Sequence, residues 1–311
     1  MIATLLAVAS LAAAAPPIRS SDIAAGQLNG TLVQPVGKAA ATVLILAGSG
    51  PTNRDGNNPL GVKANSYRLL AEGLAGRNVA SVRIDKRGLG GSKVAGDPNK
   101  VTVADYVADT RAWIAAARSA TGARCVWLAG HSEGGLIALA SAGEKDVCGL
   151  VLLAAPGRPL GRIIREQLRA NPANAPILPQ AEAALASLEA GRHADVSAMH
   201  PALAQGLFNP AVQDFLIDLM RQDPVQLLRG YKGPVLVLRG GRDLQVMAAD
   251  AAALLAARPG VATASFPGMN HVLKDAPEDR AGNLATYAYP ALPLSAGLAE
   301  RIATFIKERR R

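Results

Sequence analysis

Ser132, Asp243 and His271 are the residues whose types and order in this sequence could carry nucleophilic chemistry. Ser132 stands in Gly130-His131-Ser132-Glu133-Gly134, a G-x-S-x-G pentapeptide. A serine hydroxyl is a weak nucleophile at neutral pH, and it needs a neighbouring base that is itself oriented by a third group. G-x-S-x-G alone is common, so its context matters. Here an apolar run precedes it (Val126 to Ala129) and a helical stretch follows it (Gly135 to Ala142). That strand-turn-helix setting would force the turn tight at Gly130 and Gly134 and lift the Ser132 hydroxyl above a sheet edge. Asp243 closes Arg239-Gly240-Gly241-Arg242-Asp243 after another apolar run, and His271 closes Pro267-Gly268-Met269-Asn270-His271 after a third. A carboxylate at a strand end can orient an imidazole. Alone, Asp243 would read as a solvated loop residue or as the cap of the next helix.

The other three histidines read differently. His131 adjoins the nucleophile, and its side chain is expected to point away from the site. His193 and His200 fall in a stretch where surface or packing roles are expected. No Cys/His/Asp cluster has metal-ligand spacing, so no metal site is expected.

The elements that must position these residues alternate. Strands are expected at Leu28 to Val33 (an edge strand), Ala41 to Ala47, Val79 to Ile84, Val126 to Ala129, Leu150 to Ala154, Val235 to Leu238 and Val261 to Phe266. Helices are expected at Tyr67 to Leu74, Val103 to Ala120, Gly135 to Ala142, Ala248 to Ala257 and Ala296 to Glu308. Strands alternating with helices imply a parallel, doubly wound sheet. Ser132, Asp243 and His271 all follow strands, so such a sheet brings them to one edge. Between Pro156 and Lys232 no strand-like run occurs. Leu160 to Arg169, Pro179 to Ala190 and Ala211 to Met220 read as helices there, far more chain than a crossover needs. The expected layout is a core of residues 22–156 and 233–311, with 157–232 inserted as a helical cap.

Composition sets bounds. The chain has 311 residues, 50% of them hydrophobic and 18% charged, which excludes a disordered chain. Aromatics are only 4%, so the core must be built from aliphatic side chains. The formal charge is +9, but the basic residues are scattered except at Lys307-Glu308-Arg309-Arg310-Arg311. Cations at a helix end complement its dipole, and no nucleic-acid motif accompanies the tail. Nucleic acid is therefore not expected as a partner. No stretch reaches the roughly 18 apolar residues of a membrane helix.

Ile2 to Ala15 is an apolar run ending in Ala13-Ala14-Ala15, followed by Pro16-Pro17. It has the length and cleavage site of a secretory leader, though no Lys or Arg precedes it. Export to the periplasm or medium with cleavage near Ala15 is expected. Cys125 and Cys148 each open a strand. Parallel neighbouring strands would place them within disulfide reach, and two buried free thiols are the equal alternative.

The order Ser132, Asp243, His271 is that of α/β-hydrolases. The chain resembles that superfamily over nearly its whole mature length. More narrowly, it resembles bacterial esterase-like hydrolases with a GSGPxxRDGN loop, a group that also contains serine aminopeptidase-like members. The matching residues are Leu28-Asn29-Gly30-Thr31-Leu32, Gly48-Ser49-Gly50-Pro51-Thr52-Asn53-Arg54-Asp55-Gly56-Asn57, Asp85-Lys86-Arg87-Gly88, Gly130-His131-Ser132-Glu133-Gly134-Gly135 and Asn270-His271. The resemblance implies an α/β-hydrolase fold with a helical cap and a carboxylic-ester hydrolase favouring short acyl chains. It implies a small-molecule acyl ester as substrate and no cofactor.

In that reading His271 takes the Ser132 proton, Ser132 attacks the ester carbonyl, and Asp243 orients the imidazole. Backbone N–H donors for the oxyanion are expected from Glu133 and from Ser49, with Gly50 next. Many superfamily members carry His-Gly in that loop, where this chain has Ala47-Gly48. Arg54, Asp55 and Arg87 have two readings: substrate neighbours, or a salt-bridge network pinning two loops, which is preferred. A serine peptidase on the same fold is the main rival. It would need a cap carboxylate for a substrate amine, and Glu166, Glu182, Glu189, Asp214 and Asp218 are the candidates. A catalytically silent binding module is a further alternative. A dehalogenase would need Asp where Ser132 stands.

Overall fold

A computed structural model describes residues 17–309 of the chain. The expected leader, residues 1–15, lies outside the described residues, as do Arg310 and Arg311.

Eight strands form one sheet in the order β1-β2-β4-β3-β5-β6-β7-β8. They are β1 (Ile18–Ala25), β2 (Leu28–Pro35), β3 (Ala41–Leu46), β4 (Val79–Ile84), β5 (Val126–His131), β6 (Val147–Leu153), β7 (Val235–Gly240) and β8 (Ala262–Phe266). From β3 onward every pairing is parallel, while β1 and β2 add an antiparallel hairpin that joins the sheet at β4. This is the expected mostly parallel, doubly wound α/β sheet, with one correction. Leu28 to Val33 does not form the edge, because β1 pairs outside it. Ile18–Ala25 is exposed along most of its length. A strand with no buried face has no reason to alternate, so it left no periodic signal.

The central strands are apolar throughout because both faces are covered. Leu44 and Leu46 of β3 face one core with Val82, Leu128 and Leu152. Trp113 and Ile114 of helix α2, named below, pack there too. Val43 and Ile45 face the other core with Leu70, Leu74, Ile302 and Phe305. The helices are α1 (Ser66–Ala75), α2 (Val103–Thr121), α3 (Glu133–Ala140), α4 (Leu160–Arg169), α5 (Leu178–Glu189), α6 (Gln213–Met220), α7 (Pro224–Gly230), α8 (Ala248–Ala257), α9 (Arg280–Ala285) and α10 (Leu298–Glu308). Lys307 stands in the last turn of α10, where its charge complements the helix end.

Between β6 and β7 the chain is helical, α4 to α7, with an apolar cluster of its own around Leu185, Leu188, Phe208 and Ile217. Arg165 bridges α4 to Glu182 and Glu189 of α5. The segment is tied to the sheet layer at its start. Asp250, fully buried at the start of α8, accepts from the Gly157 N–H and from two nitrogens of Arg158. The sequence reading missed α7 and α9. Both are a turn or two long, too short for a helical period to register.

Cys125 and Cys148 open neighbouring parallel strands, and the two are joined by a disulfide, Cα to Cα 5.2 Å. Of the two alternatives read from the sequence, the structure holds the bridge.

Candidate active site

Ser132 sits between β5 and α3 with φ +53° and ψ −125°. A non-glycine residue held there stores roughly 1–3 kcal/mol of strain, which surrounding structure must enforce. The glycines of the pentapeptide allow it. A Cβ on Gly130 would lie 2.1 Å from the Gly134 carbonyl oxygen, and one on Gly134 would lie 2.3 Å from that of Leu46. The turn thus closes backbone against backbone, and the Ser132 N–H is held by the Leu153 carbonyl at 3.0 Å.

Asp243 follows β7 and His271 follows β8, and the sheet brings them together. Nδ1 of His271 lies 2.9 Å from Oδ2 and 3.1 Å from Oδ1 of Asp243. A carboxylate only accepts, so Nδ1 carries the hydrogen and Nε2 is left basic. Oδ1 also accepts the N–H groups of Gln245 and Val246 at 2.8 and 3.0 Å. Burial pushes the Asp243 carboxyl up, but His271 and these two N–H groups outweigh it, and the carboxyl is held below its ordinary range.

His131 departs from expectation. Its side chain is buried, and its ring lies 4.7 Å from the His271 ring, tilted by 46°. Its Nε2 donates to the His271 carbonyl at 2.8 Å. Its Nδ1 is therefore an acceptor, and Tyr67 Oη–H fills it at 2.8 Å. Tyr67 Oη in turn accepts the Gly48 N–H at 2.9 Å. One chain of hydrogen bonds thus runs from the loop after β3 to the backbone of His271. Burial, with His271 beside it, pushes the His131 imidazole down to about 3. The sequence signal lay in the pentapeptide itself: a residue preceding the nucleophile on a buried strand need not face solvent.

The Glu133 N–H is the first of α3 and has no intrahelical acceptor. The Ser49 and Gly50 N–H groups make no hydrogen bond to another described residue, whereas the Gly48 N–H is taken by Tyr67. Ser49 lines the space around Ser132, and Gly50 does not. Lys86, to which the sequence assigns no role of its own within Asp85-Lys86-Arg87-Gly88, connects the two donors' elements. Its Nζ donates to the Gly48 carbonyl at 2.8 Å and stands 3.6 Å from Glu133 Oε1. Burial lowers the Lys86 ammonium below its ordinary value, and Glu133 offsets part of that.

Arg54, Asp55 and Arg87 do not line that space. Arg54 donates to Asp85 through its backbone N–H and two guanidinium nitrogens, at 2.9, 2.9 and 2.6 Å. Arg83 pairs with Asp55. Arg87 grips Asp109 of α2 at 2.6 and 2.7 Å. Together these pairs fix the 51–57 loop and the 85–92 loop to the sheet and to α2.

Two cavities flank Ser132. The smaller, about 120 Å³, is lined by Ser132, His271, Tyr67, Asn58 and Tyr287 among others. The larger, about 160 Å³, runs beneath α4 and α6 and is lined by Ser132, Leu136, Ile163, Ile164, Leu216 and Leu219 among others. Ser49 and Gln245 line both. Among the described residues no group of three or more His, Cys, Asp or Glu side chains is arranged to hold a metal ion. Nor is any described helix long and apolar enough to cross a membrane.

Residues 9–284 match the model of the alpha/beta hydrolase family. The chain belongs to that family. Esterase EstD of Thermotoga maritima is 26% identical to this alpha/beta hydrolase over 260 residues, which are 81% of this chain. The chain spans only 59% of the length of that relative. Among solved structures, the esterase domain of a Rhodothermus marinus protein is similar at TM-score 0.54 and 18% identity, covering 94% of this chain and 98% of that one. Est1E of Butyrivibrio proteoclasticus, with ferulic acid bound, has TM-score 0.55 and 16% identity, covering 93% and 96%. The proline iminopeptidase of Mycobacterium smegmatis has TM-score 0.55 and 15% identity, covering 94% and 98%. An esterase and a peptidase thus share the fold with this alpha/beta hydrolase equally well, and the fold does not separate the two activities.

Proposed function

We propose that this chain hydrolyses carboxylic esters of short aliphatic acids through an acyl-enzyme on Ser132. The observation that carries the reading is the strained Ser132 sharing a cavity with His271, whose ring pairs with Asp243, with the Ser49 and Glu133 N–H groups unpaired among the described residues. Nε2 of His271 takes the Ser132 Oγ proton as Oγ attacks the ester carbonyl. The carbonyl oxygen gathers charge between the Ser49 and Glu133 N–H groups. The carbon–oxygen bond to the alcohol then breaks, and the alcohol leaves with the proton from His271. Water, deprotonated by His271, attacks the acyl carbon, and Ser132 regains its proton as the acid departs. Asp243 holds the imidazole in the tautomer that leaves Nε2 basic and stabilises the imidazolium.

The peptidase alternative lacks a group for a substrate amine. Glu166 is held by Arg158 and Arg162, while Glu182 and Glu189 are held by Arg165. Asp214 pairs with His193, and Asp218 accepts the Val103 N–H. Glu133 is the one carboxylate lining the two cavities among the described residues, and it faces Lys86.

Two further readings belong to the proposal. Residues 157–232 act as a cap, supported by their separate apolar cluster and by the larger cavity beneath them. The chain is exported, supported by the apolar run Ile2 to Ala15 and by a disulfide suited to an oxidising compartment.

The test is hydrolysis of p-nitrophenyl esters from acetate to palmitate by wild type and Ser132→Ala. Activity should peak at short chains and fall by three orders of magnitude or more in the variant. Full activity in Ser132→Ala, or cleavage of aminoacyl-nitroanilides in place of esters, ends the proposal.

A further inference from the structure

We infer that the two cavities divide the ester between them, and that the preferred substrate joins a short aliphatic acid to a hydroxylated alcohol of glycerol-like chemistry. The inference rests on the ester-hydrolase reading and adds which half of the substrate goes where. Ser132, Ser49 and Gln245 line both cavities, so a carbonyl placed at Ser132 has one arm in each. His271 lines only the smaller cavity. The alkoxy oxygen must lie beside His271 when the carbon–oxygen bond breaks, because it takes its proton there. The alcohol therefore occupies the smaller cavity and the acyl chain occupies the larger.

The linings of the two cavities differ in kind. Beneath the helical segment the walls are Leu and Ile side chains, with no aromatic ring among them. The charged and amide side chains there are fewer than the aliphatic ones, and their donors are mostly engaged. Arg158 pairs with Asp250 and Glu166, Gln167 donates to the Gln245 carbonyl, and Gln222 donates to the Asp218 carbonyl, while the amide oxygens of Gln167 and Gln222 have no partner among the described residues. The aliphatic side chains of Leu136, Leu160, Ile163, Ile164, Leu216 and Leu219 make most of the wall, which a hydrocarbon chain matches. An apolar cavity of roughly 150 Å³ holds about six carbons, so a cavity of about 160 Å³ suits a short acyl chain.

The smaller cavity has hydroxyls and amides. Thr52, Ser66 and Tyr67 spend their hydroxyl protons on Ser49, Val272 and His131. Three groups are left without a partner among the described residues: the Asn58 amide nitrogen, the Gln245 amide oxygen and the Tyr287 hydroxyl proton. One amide donor, one amide acceptor and one hydroxyl suit an alcohol bearing further hydroxyls. A hydrocarbon alcohol would displace water from all three and replace none of its hydrogen bonds.

The experiment compares kcat/KM for 1-monohexanoylglycerol and ethyl hexanoate by titration of released acid, with p-nitrophenyl hexanoate as an activity reference. Wild type should favour the glyceryl ester at least tenfold. Tyr287→Phe and Asn58→Leu, checked for unchanged urea midpoints, should each cut that preference threefold or more. Equal rates on the two aliphatic esters, with activity lost in Ser132→Ala, would overturn the division of the substrate and leave the ester-hydrolase reading standing. Hydrolysis of none of the three esters would overturn both.

Discussion

His131 donates its Nε2 hydrogen to the main-chain carbonyl of His271 at 2.8 Å, while its own Nδ1 is filled by Tyr67. The residue before the proposed nucleophile thus holds the backbone of the proposed base. Asp243 pairs with the imidazole of that base. The ring of His271 is fixed by its carboxylate partner and its main chain by a histidine that stays neutral.

That neutrality makes stability depend on pH. The His131 imidazole is held near 3 in the folded chain, against about 6.5 when unfolded. Between those values the unfolded chain binds a proton that the folded chain refuses. Stability is therefore complete above pH of about 6.5 and falls as pH drops toward 3, by up to about 1.4 kcal/mol per pH unit. His131→Asn should be less stable than wild type at pH 7, yet lose less on acidification. Urea unfolding at pH 7, 5.5 and 4.5 measures both slopes. Equal slopes would mean that His131 is protonated in the folded chain.

Tyr67→Phe removes the hydroxyl that accepts the Gly48 N–H and fills His131 Nδ1. Two buried groups then lose their partners, at about 1–3 kcal/mol each. We expect a stability loss of about 2 kcal/mol and a fall in kcat of about tenfold, with KM changing less. Restored kcat in Tyr67→Phe at full saturation would show that the chain of hydrogen bonds supports folding alone.

The Cys125–Cys148 bridge lies at the opposite ends of its strands from Ser132. It closes a loop across a sequence separation of 23 residues, and loops of that length contribute about 3 kcal/mol by restricting the unfolded chain. Cys125→Ala/Cys148→Ala should lose about that much stability by urea denaturation while keeping kcat within about twofold. A large loss of activity at temperatures where the variant is folded would contradict this separation of roles.

The sequence made the positions of Ser132, Asp243 and His271 readable because each follows an apolar run, and strand ends in a parallel sheet converge. Four side chains that hold the elements around those residues were not readable. Tyr67 looked like one more apolar residue of a helix, and Lys86 like loop filler. His131 was expected to face away, because a local pattern says nothing of a neighbour 140 positions along. Asp250 was an isolated charge in an Ala-rich helix, and only its contact with Gly157 and Arg158 gives it a purpose. β1 escaped because exposure erased its alternation. Partners far apart in sequence leave no spacing to read, whereas a nucleophile turn carries its glycines beside it.

Lys86 offers the sharpest test of how the oxyanion donors are held. It joins the Gly48 carbonyl to the Glu133 carboxylate, and the N–H groups of Ser49 and Glu133 adjoin those two points. Removing one oxyanion donor outright typically costs 10²–10³ in kcat. Loosening its support should cost less. We expect Lys86→Met to lower kcat by about 10–100-fold with KM within about threefold, because the donors act on the transition state and not on the bound ester. The variant also leaves Glu133 a poorly solvated carboxylate without its partner. Lys86→Met/Glu133→Gln separates the two effects. If the brace acts through the Gly48 carbonyl, the double variant stays as slow as Lys86→Met. If the harm comes from the stranded charge, the double variant recovers most of kcat. A rise in KM at unchanged kcat in Lys86→Met would show that the lysine serves substrate binding and not the geometry of the donors.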